Sequence, residues 1–374
     1  MRKNLVAFLS VAVLSISVGD AWGGVAYTVT DLGTLGDLTS EAYAINNYGQ
    51  VAVTSTLNSD YGHAFVWSGG VATDLGSLGG TRRAALGIND SGQVVGWSDT
   101  SQDNPITGYT IQRAFLYSGG TMKNLGTLGS YDSIACGINA SGQVVGDAGA
   151  SWNSNGEVCH AFLYSGGTMK DLGTFGGSTS VAYGINASGQ VVGVANTAGD
   201  VASHAFLYSG GTMKDLGTLG GDTSVAYAVN AGGEVVGSAY TPGDAADHAF
   251  LYAAGKMTDL GTLGGTDSEA LGVNTSGQIV GGASTAGGVE RAFLYTGSGP
   301  LLDLNSLMAP GSRWTLVEAT AINDAGQIVG AGVNPSGQLD AFLLTPTPEP
   351  STLALLGAGA VGLLACARRR WRRQ

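Results

Sequence analysis

The chain has 374 residues, of which 63 are Gly, 44% are apolar and only 12% are charged. This apolar content excludes a disordered chain, and glycine in nearly every window excludes long helices from most of the sequence. Without residues 1–23 and 345–374, nine basic and 26 acidic residues remain. The resulting charge of −17 repels nucleic acid and suits cations, cationic surfaces or neutral glycans.

Residues 1–23 have the organisation of a secretory signal peptide. Arg2 and Lys3 form a charged start, an apolar run of 14 residues covers 5–18, and small residues stand at 21 and 23. The apolar run is short for a membrane-spanning helix. We therefore predict export and cleavage after Gly23.

Residues 24–344 consist of one sequence unit repeated seven times. The unit contains an Ala-Phe pair, which recurs at intervals of 43–50 residues. The pair begins at Ala64, Ala114, Ala161, Ala205, Ala249, Ala292 and Ala341. A repeated Asn accompanies it, at Asn46, Asn89, Asn139, Asn186, Asn230, Asn274 and Asn323. A fixed period of this length indicates a repeat architecture.

Each unit supplies four short strand candidates, which we name A, B, C and D in chain order. In the fourth unit they cover 182–186, 191–195, 205–208 and 213–216. Asn186-Ala-Ser-Gly189 predicts a tight hairpin between A and B, and Ser209-Gly-Gly predicts another between C and D. Four strands in one such unit are typical of a β-propeller blade.

The two ends of the repeat region predict an all-β, seven-bladed propeller that closes on itself. Residues 29–33 form a lone D strand before the first A strand, and the seventh unit ends after its C strand at 341–344. The N-terminal strand can therefore complete the last blade and remove two open edges. An open solenoid or an array of sandwiches is the alternative.

The connections should give the disc two unlike faces. The A–B and C–D turns are short and nearly constant, whereas the B–C and D–A connections emerge on the opposite face and vary in length. The longest B–C stretches are 97–113 and 147–160, in neighbouring blades 2 and 3. Aromatic rings in them suit stacking on sugars or protein partners. The predicted ligand-binding residues are Trp97, Tyr109 and Trp152, with Asp103, Asp147 and Glu157 as hydrogen-bond acceptors.

Residues 345–374 differ from the repeats. A Pro-rich linker, 345–350, ends in Pro348-Glu349-Pro350, and an apolar run of 15 residues follows at 353–367. An arginine cluster comes next, formed by Arg368, Arg369, Arg370, Arg372 and Arg373. This order predicts a short transmembrane helix within 351–374, with its arginine tail held on the inner side of the inner membrane.

The other reactive residues follow the repeat. Four His stand directly before Ala-Phe, at His63, His160, His204 and His248. Equivalent positions are spread around a ring, so we predict no shared metal, and the recurrent Asp of Asp-Leu-Gly lacks the dense ligands of a calcium loop. We likewise predict no catalytic triad and no cofactor. Cys136 and Cys159 can form a disulfide in an oxidising exterior, provided that the intervening segment folds back.

Two sets of phrases resemble known families. His160-Ala-Phe-Leu-Tyr, with Asp-Leu-Gly-Thr-Leu-Gly-Gly and Gly-Ile-Asn-Ala-Ser-Gly-Gln-Val-Val-Gly, resembles the HAF repeat of secreted bacterial proteins over residues 27–344. Pro348-Glu349-Pro350, the apolar run and the arginines resemble the PEP-CTERM sorting signal of Gram-negative bacteria that make extracellular polysaccharide. The second resemblance implies that exosortase, a membrane transpeptidase-like enzyme, recognises and removes the tail.

These features predict an exported protein that is held transiently at the inner membrane and then reaches the cell surface or extracellular matrix. We expect it to bind, or to be a structural part of, the extracellular polysaccharide layer. The alternative is a secreted glycan-active enzyme with carboxylates on the face of the longer loops, because propellers host both kinds of protein. Paired Asp or Glu residues that converge there with raised pKa values would favour the enzyme.

Overall fold

In a computed structural model, the chain is described at residues 26–58, 61–153 and 156–347. The predicted signal peptide with Gly23 lies outside these residues, as does the predicted transmembrane segment 351–374. The sorting residues outside them are Pro348, Glu349, Pro350, Arg368, Arg369 and Arg370. Residues Tyr27–Thr347 form one compact unit.

The described residues form seven four-stranded antiparallel sheets, which confirms the seven-bladed propeller. The chain begins with β1 (Tyr27–Asp31). Blade 1 is β2 (Thr39–Ile45), β3 (Val51–Asn58), β4 (Tyr61–Ser68) and β5 (Val71–Asp74). Blade 2 is β6 (Gly79–Ile88), β7 (Val94–Asp103), β8 (Thr110–Ser118) and β9 (Thr121–Asn124). Blade 3 is β10 (Ser133–Ile138), β11 (Val144–Asn153), β12 (Gly156–Ser165) and β13 (Thr168–Asp171).

The remaining blades repeat this order of strands A to D. Blade 4 is β14 (Gly176–Ile185), β15 (Val191–Thr197), β16 (Ser203–Ser209) and β17 (Thr212–Asp215). Blade 5 is β18 (Ser224–Val229), β19 (Val235–Tyr240), β20 (Asp247–Ala253) and β21 (Lys256–Asp259). Blade 6 is β22 (Gly264–Val273), β23 (Ile279–Thr285), β24 (Glu290–Tyr295) and β25 (Leu302–Asp303). Blade 7 adds β26 (Thr315–Ile322), β27 (Ile328–Val333) and β28 (Leu339–Pro346), and short 3-10 turns cover Ala198–Asp200, Pro242–Asp244 and Leu304–Leu307.

The hydrophobic core lies between neighbouring blades. The Phe of each Ala-Phe pair is fully buried: Phe65, Phe115, Phe162, Phe206, Phe250, Phe293 and Phe342. Phe115 of blade 2, for example, belongs to one cluster with Ala52 and Ala64 of blade 1. Burying one such side chain contributes about 1.5–3 kcal/mol, so the same stabilisation recurs around the disc.

A glycine in strand B lets the two inner strands approach closely. Strand β14 carries a bulge between Ala182 and Gly184, and a Cβ on Gly193 of β15 would lie 1.9 Å from the Val181 carbonyl oxygen. A side chain at this position would therefore force the strands apart. The equivalent glycines are Gly96, Gly146, Gly237, Gly281 and Gly330.

The seven repeated Asn side chains are buried and join the blades in a closed ring of hydrogen bonds. Asn46 Nδ2 donates to the Asn89 carbonyl of the next blade at 3.0 Å, and Asn323 Nδ2 returns to the Asn46 carbonyl at 3.1 Å. The five intervening bonds measure 3.0–3.2 Å. In blade 4 the Asn186 Oδ1 also accepts from the backbone N–H groups of Ser188 and Gln190. One side chain thus shapes its own turn and links two blades.

The N-terminal strand closes the ring, as the phase of the repeats predicted. Strand β1 pairs antiparallel with β28, with Val29 opposite Leu344 and Asp31 opposite Phe342. The last sheet has the order β1-β28-β27-β26. Blade 7 and blade 1 also meet directly, since Thr320 Oγ1 donates to the Ala42 carbonyl at 2.6 Å.

The strand order places the A–B and C–D turns on one face and the B–C and D–A connections on the other. We name these the uniform face and the variable face. The expectation of long loops at 97–113 and 147–160 was wrong for most of these residues, because strands β7, β8, β11 and β12 occupy them. Their backbone groups pair with each other in extended hairpins, which satisfies donors and acceptors that a loop would leave to solvent.

The Asn ring makes a stability prediction. Asn186→Ala removes three accepted and two donated hydrogen bonds of a buried side chain, so we expect a loss of about 2–4 kcal/mol in the free energy of unfolding. Ser188→Ala is the matched control in the same turn, because its hydroxyl is on an exposed residue. Denaturant unfolding measures both; equal effects of the two substitutions would contradict the ring's role.

Candidate functional site

The innermost strands surround a central channel with a cavity of about 300 Å³. Strand A of each blade contains a buried Ala, at Ala42, Ala85, Ala135, Ala182, Ala226, Ala270 and Ala319. The residue after this repeated Ala lines the cavity: Tyr43, Leu86, Cys136, Tyr183, Tyr227, Leu271 and Thr320. The Tyr183 and Tyr227 rings are 5.3 Å apart. Burial raises the pKa of Tyr183 to about 12, so this wall carries neutral hydroxyl groups rather than charge at neutral pH.

Carboxylates gather where strand A begins, at the end of the channel on the variable face. The residue before the repeated Ala is Glu41 in blade 1, Glu269 in blade 6 and Glu318 in blade 7. These blades are adjacent because the ring closes between blades 7 and 1. The other four blades have Ala84, Ile134, Val181 and Val225 at this position. At this position the carboxylates are therefore confined to blades 6, 7 and 1.

Glu269 and Glu318 form a pair across the interface of blades 6 and 7. Burial raises the pKa of Glu318 to about 7, and the charge of Glu269 and a hydrogen bond to it add to the shift. Burial also raises the pKa of Glu269, although its hydrogen bond with Glu318 opposes the shift. The pair accordingly holds one proton near neutral pH, with protonated Glu318 as donor and Glu269 as acceptor.

A pocket of about 330 Å³ adjoins this pair on blades 5 and 6. Its lining residues are Tyr240, Asp247, Asp267, Ser268, Glu269, Gly282 and Glu290. A Cβ on Gly282 would lie 3.8 Å from Glu318 Cγ, so the absence of a side chain leaves open space between strand B and the glutamates. We name Asp247, Asp267, Glu269, Glu290 and Glu318 the acidic cluster.

The acidic cluster contains groups with opposite pKa shifts. Burial raises the pKa of Asp247, and its Oδ1 atom is buried without a hydrogen-bond partner. The pKa of Asp267 is lowered, chiefly because the Thr266 hydroxyl donates to its carboxylate at 2.6 Å. One pocket thus contains Asp267, whose lowered pKa favours the ionised form, beside Asp247 and Glu269, whose raised pKa values favour the protonated form.

The predicted aromatic residues do not form one surface. Trp97 is half-buried in the body of strand β7, and Trp152 is half-buried on β11 with its ring 6.4 Å from that of Tyr131. Tyr109 is 77% exposed beside the tip of the β7–β8 hairpin. Tyr109 alone of the three presents an open ring. Of the predicted acceptors, Asp103 is exposed and Asp147 half-buried, while the Glu157 side chain lies outside the described part of the molecule.

The predicted disulfide is not formed. Cys136 lies on β10 and Cys159 on β12, and no disulfide joins them. Strand β11 separates them, because it pairs with β10 on one side and β12 on the other. Burial raises the pKa of the Cys136 thiol, which keeps it protonated on the channel wall.

The repeated His residues pair with the repeated Asp residues. Nδ1 of His160, His204 and His248 lies 2.8 Å from Oδ2 of Asp171, Asp215 and Asp259, respectively. In the part of the chain that the structure describes, no group of three or more His, Cys, Asp or Glu side chains is arranged to hold a metal ion.

The acidic cluster was not predicted from the sequence, although a signal was present. Aligning the seven units places Glu41, Glu269 and Glu318 in one column, in units that become neighbours only when the ring closes. The other members of the acidic cluster, Asp247, Asp267 and Glu290, stand in or beside the B–C and D–A connections. The length of these connections varies, so the units align poorly there. A search for an isolated motif does not find residues brought together in this way.

Family comparisons support the sorting signal. Residues 346–370 match the PEP-CTERM protein-sorting motif, which confirms that prediction. Residues 81–219 match a family described as "Protein of unknown function (DUF3466)", and no curated protein matches the chain. The HAF resemblance stays a prediction. Among the described residues, no helix combines the length and apolar content needed to cross a membrane.

Similar solved structures include enzymes and lectins. TolB from Acinetobacter baumannii is 12% identical with a TM-score of 0.43, over 84% of this chain and 65% of that one. Trypanosoma rangeli sialidase in complex with the inhibitor DANA is 10% identical with a TM-score of 0.40, over 90% and 58%. A mutant of Aleuria aurantia lectin in complex with Fucα1-6GlcNAc is 14% identical with a TM-score of 0.36, over 83% and 98%. The chain spans less than two thirds of the first two, and the likeness concerns the fold alone.

The Glu269–Glu318 pair makes stability depend on pH. Because the pKa of Glu318 rises from 4.5 to about 7 on folding, its contribution to stability is full below pH 4.5 and is lost as pH rises through 7. Glu318→Gln keeps a donor for Glu269 and cannot ionise. We expect the variant to exceed the parent by about 1–3 kcal/mol above pH 7 and to match it near pH 4.

Denaturant unfolding between pH 4 and pH 9 measures this difference. Glu234→Gln, on the uniform face where six blades already have Gln, controls for the removal of one carboxylate. A stability difference between Glu318→Gln and the parent that does not vary with pH would contradict the shared proton.

Proposed function

We propose that the protein is an exported component of the extracellular polysaccharide layer, which binds glycans through its variable face and is sorted by exosortase. The observation that carries the proposal is the match of residues 346–370 to the PEP-CTERM sorting motif. That motif implies exosortase-dependent export and a surface or extracellular place. Because this signal resembles that of bacteria that make extracellular polysaccharide, a polysaccharide layer is the material that we expect the protein to meet there.

The variable face supports a binding role, because the connection lengths and side chains that differ between the blades lie there. Exposed apolar side chains stand in its B–C connections, at Ile106, Tyr109, Val201 and Val289, and near the end of strand β3, at Leu57. The same face carries the acidic cluster with its pocket. Apolar surface rimmed by polar groups is typical of interaction sites on soluble domains.

The charge of this face selects among glycans. Apart from Glu234 of the uniform face, residues 197–295 contain nine Asp or Glu against three Lys or Arg. Lys214 is bound to the Tyr252 hydroxyl at 2.7 Å. Uronate polymers would be repelled by this surface, whereas amine-bearing or neutral sugars would not. We therefore expect neutral or amino-sugar polymers to be the preferred ligands.

The second candidate is a glycan-active enzyme, and the Glu269–Glu318 pair specifically favours it. A carboxyl group with a pKa of about 7 beside an ionised carboxylate has the properties of a general acid. Hydrolysis of a glycosidic bond needs a second carboxylate at a defined separation from the first. In this reading Glu318 would donate the proton, and Glu269, Glu290 or Asp247 would act opposite it.

Tyr109→Ala tests the binding surface. We expect weaker binding to a neutral or amine-bearing polysaccharide by about 1 kcal/mol, because an exposed ring stacks on a sugar face. Tyr48→Ala is the matched control, since Tyr48 is 76% exposed on the uniform face. Affinity electrophoresis with dextran, chitosan and alginate measures the effect; equal affinities of the two variants would place the glycan elsewhere.

The same polysaccharides distinguish binding from catalysis. If the parent releases new reducing ends and Glu318→Gln does not, the enzyme reading stands. Binding without release of reducing ends, at equal affinity in Glu318→Gln, supports the binding reading.

The sorting signal predicts the mass of the exported protein. In a host that contains exosortase, the exported chain should lack the arginine tail with Trp371, whereas Glu349→Ala protein should retain it and stay with the membrane fraction. Ser351→Ala, beside the motif, is the matched control. Intact mass spectrometry measures each; exported parent protein that still carries Trp371 would contradict sorting by exosortase.

A further inference from the structure

One position of the repeat is basic in six blades and pairs with the Asp of strand D in three of them. In blades 3, 4 and 5 the His before Ala-Phe lies 2.8 Å from the Asp of strand D. The other Asp oxygen accepts from a backbone N–H two residues later, at 2.7 Å in each of these blades. His63, Arg113 and Arg291 occupy the same position in blades 1, 2 and 6.

Blade 7 departs from this rule. The residue before its Ala-Phe pair is Asp340, and the equivalent strand D residue is Asp31, contributed by the closing strand β1. Asp31 Oδ1 accepts from the Gly33 N–H at 2.9 Å, as its counterparts do. A carboxylate therefore stands where the other six blades have a basic residue, next to a second carboxylate.

Asp340 is buried with one oxygen unsatisfied. The residue is only 4% exposed. Its Oδ2 accepts a hydrogen bond from Asn334 Nδ2, whereas its Oδ1 is buried and has no partner. Burial and the nearby charge of Asp31 raise the pKa of Asp340. Leaving a buried oxygen without a partner is unfavourable, so a ligand that satisfies it would be bound favourably.

Asp340 is one of the residues that line a cleft of about 450 Å³ between blades 7 and 1. Polar oxygen donors dominate the side near Asp340: Thr30, Asp31, Thr34, Asn334, Gln338 and Asp340. No Lys, Arg or His belongs to this lining in the described structure. Carboxylate, amide and hydroxyl oxygens are the donors that hard cations prefer, and Ca²⁺ accepts them in irregular arrangements.

We propose that Asp340 and Asp31 bind one calcium ion at the seam where the propeller closes. The ion takes the place of the basic side chain found in the other blades and links β28 to β1, the strand pair that completes the ring. Two carboxylates with neutral oxygens give a weak site, with a Kd of about 10⁻⁴–10⁻³ M as in extracellular calcium modules. Calcium outside the cell would then tighten closure of the ring.

Calcium binding is tested on the full chain after treatment with EDTA. We expect calorimetry to give one Ca²⁺ per chain and 10 mM Ca²⁺ to raise Tm by about 2–5 °C. Mg²⁺ at the same concentration should raise Tm less, because it requires near-octahedral coordination. An equal response to both ions would indicate general screening of charge and would overturn the calcium site.

Variants locate the ion. Asp340→Asn and Asp31→Asn should each abolish the Ca²⁺-dependent shift in Tm. Asp340→His restores the His–Asp pair of blades 3 to 5, so this protein should lose the calcium response and be at least as stable in EDTA as the parent. Asp215→Asn, at the position of Asp31 in blade 4, is the matched control and should keep the full response.

Two results would overturn the proposal. If Asp340→Asn retains the calcium shift, the ion binds elsewhere, for example at the acidic cluster. If the parent ignores 10 mM Ca²⁺ in both measurements while its stability falls as pH rises, Asp340 is satisfied by a proton instead of a metal ion.

Discussion

Closure of the ring is the constraint on which the rest of the molecule depends. Seven hydrogen bonds from Asn side chains run from blade to blade and return to Asn46, so every junction must have the same geometry as the others. The same amides set the A–B turns through bonds to their own backbone. Because one side chain determines both features, the uniform face can vary little. Differences in loop length and side-chain chemistry between the blades are therefore found on the variable face.

The hairpins, the number of blades and the closing strand could be predicted from the sequence. The contacts that depend on how the blades curve around the channel could not. Turn residues identify the hairpins, the Ala-Phe period gives the number of blades, and the phase of the ends gives the closing strand. The Glu269–Glu318 contact, in contrast, depends on which A strands become neighbours around the channel and how far apart the blades are. The extended β7–β8 and β11–β12 hairpins were missed because their Ser-, Asn- and Gly-containing sequence is typical of loops.

Function in a repeat protein is marked by departure from the repeat. The His–Asp pairs and buried Phe residues recur and are explained by stability. Glu269 and Glu318 stand in a column that is apolar in four blades, and Asp340 stands in a column that is basic in the other six. These three residues bring negative charge that the fold itself does not need. Such local violations, tolerated because the remaining blades are consistent, are expected at functional sites. Two of these three residues lie in blade 7, next to the seam where the ring closes.

The way the ring is closed also determines how the domain responds to a pulling force. Tyr27 lies opposite Pro346, so the chain enters and leaves the propeller at one place, on the uniform face. A load passing from a glycan on the variable face to the chain beyond residue 347 would run along β28. That strand is flanked by β1 on one side and β27 on the other, so hydrogen bonds on both sides would be sheared together and not opened one at a time. An edge strand in the same place would peel away, whereas this arrangement suits a protein held under tension.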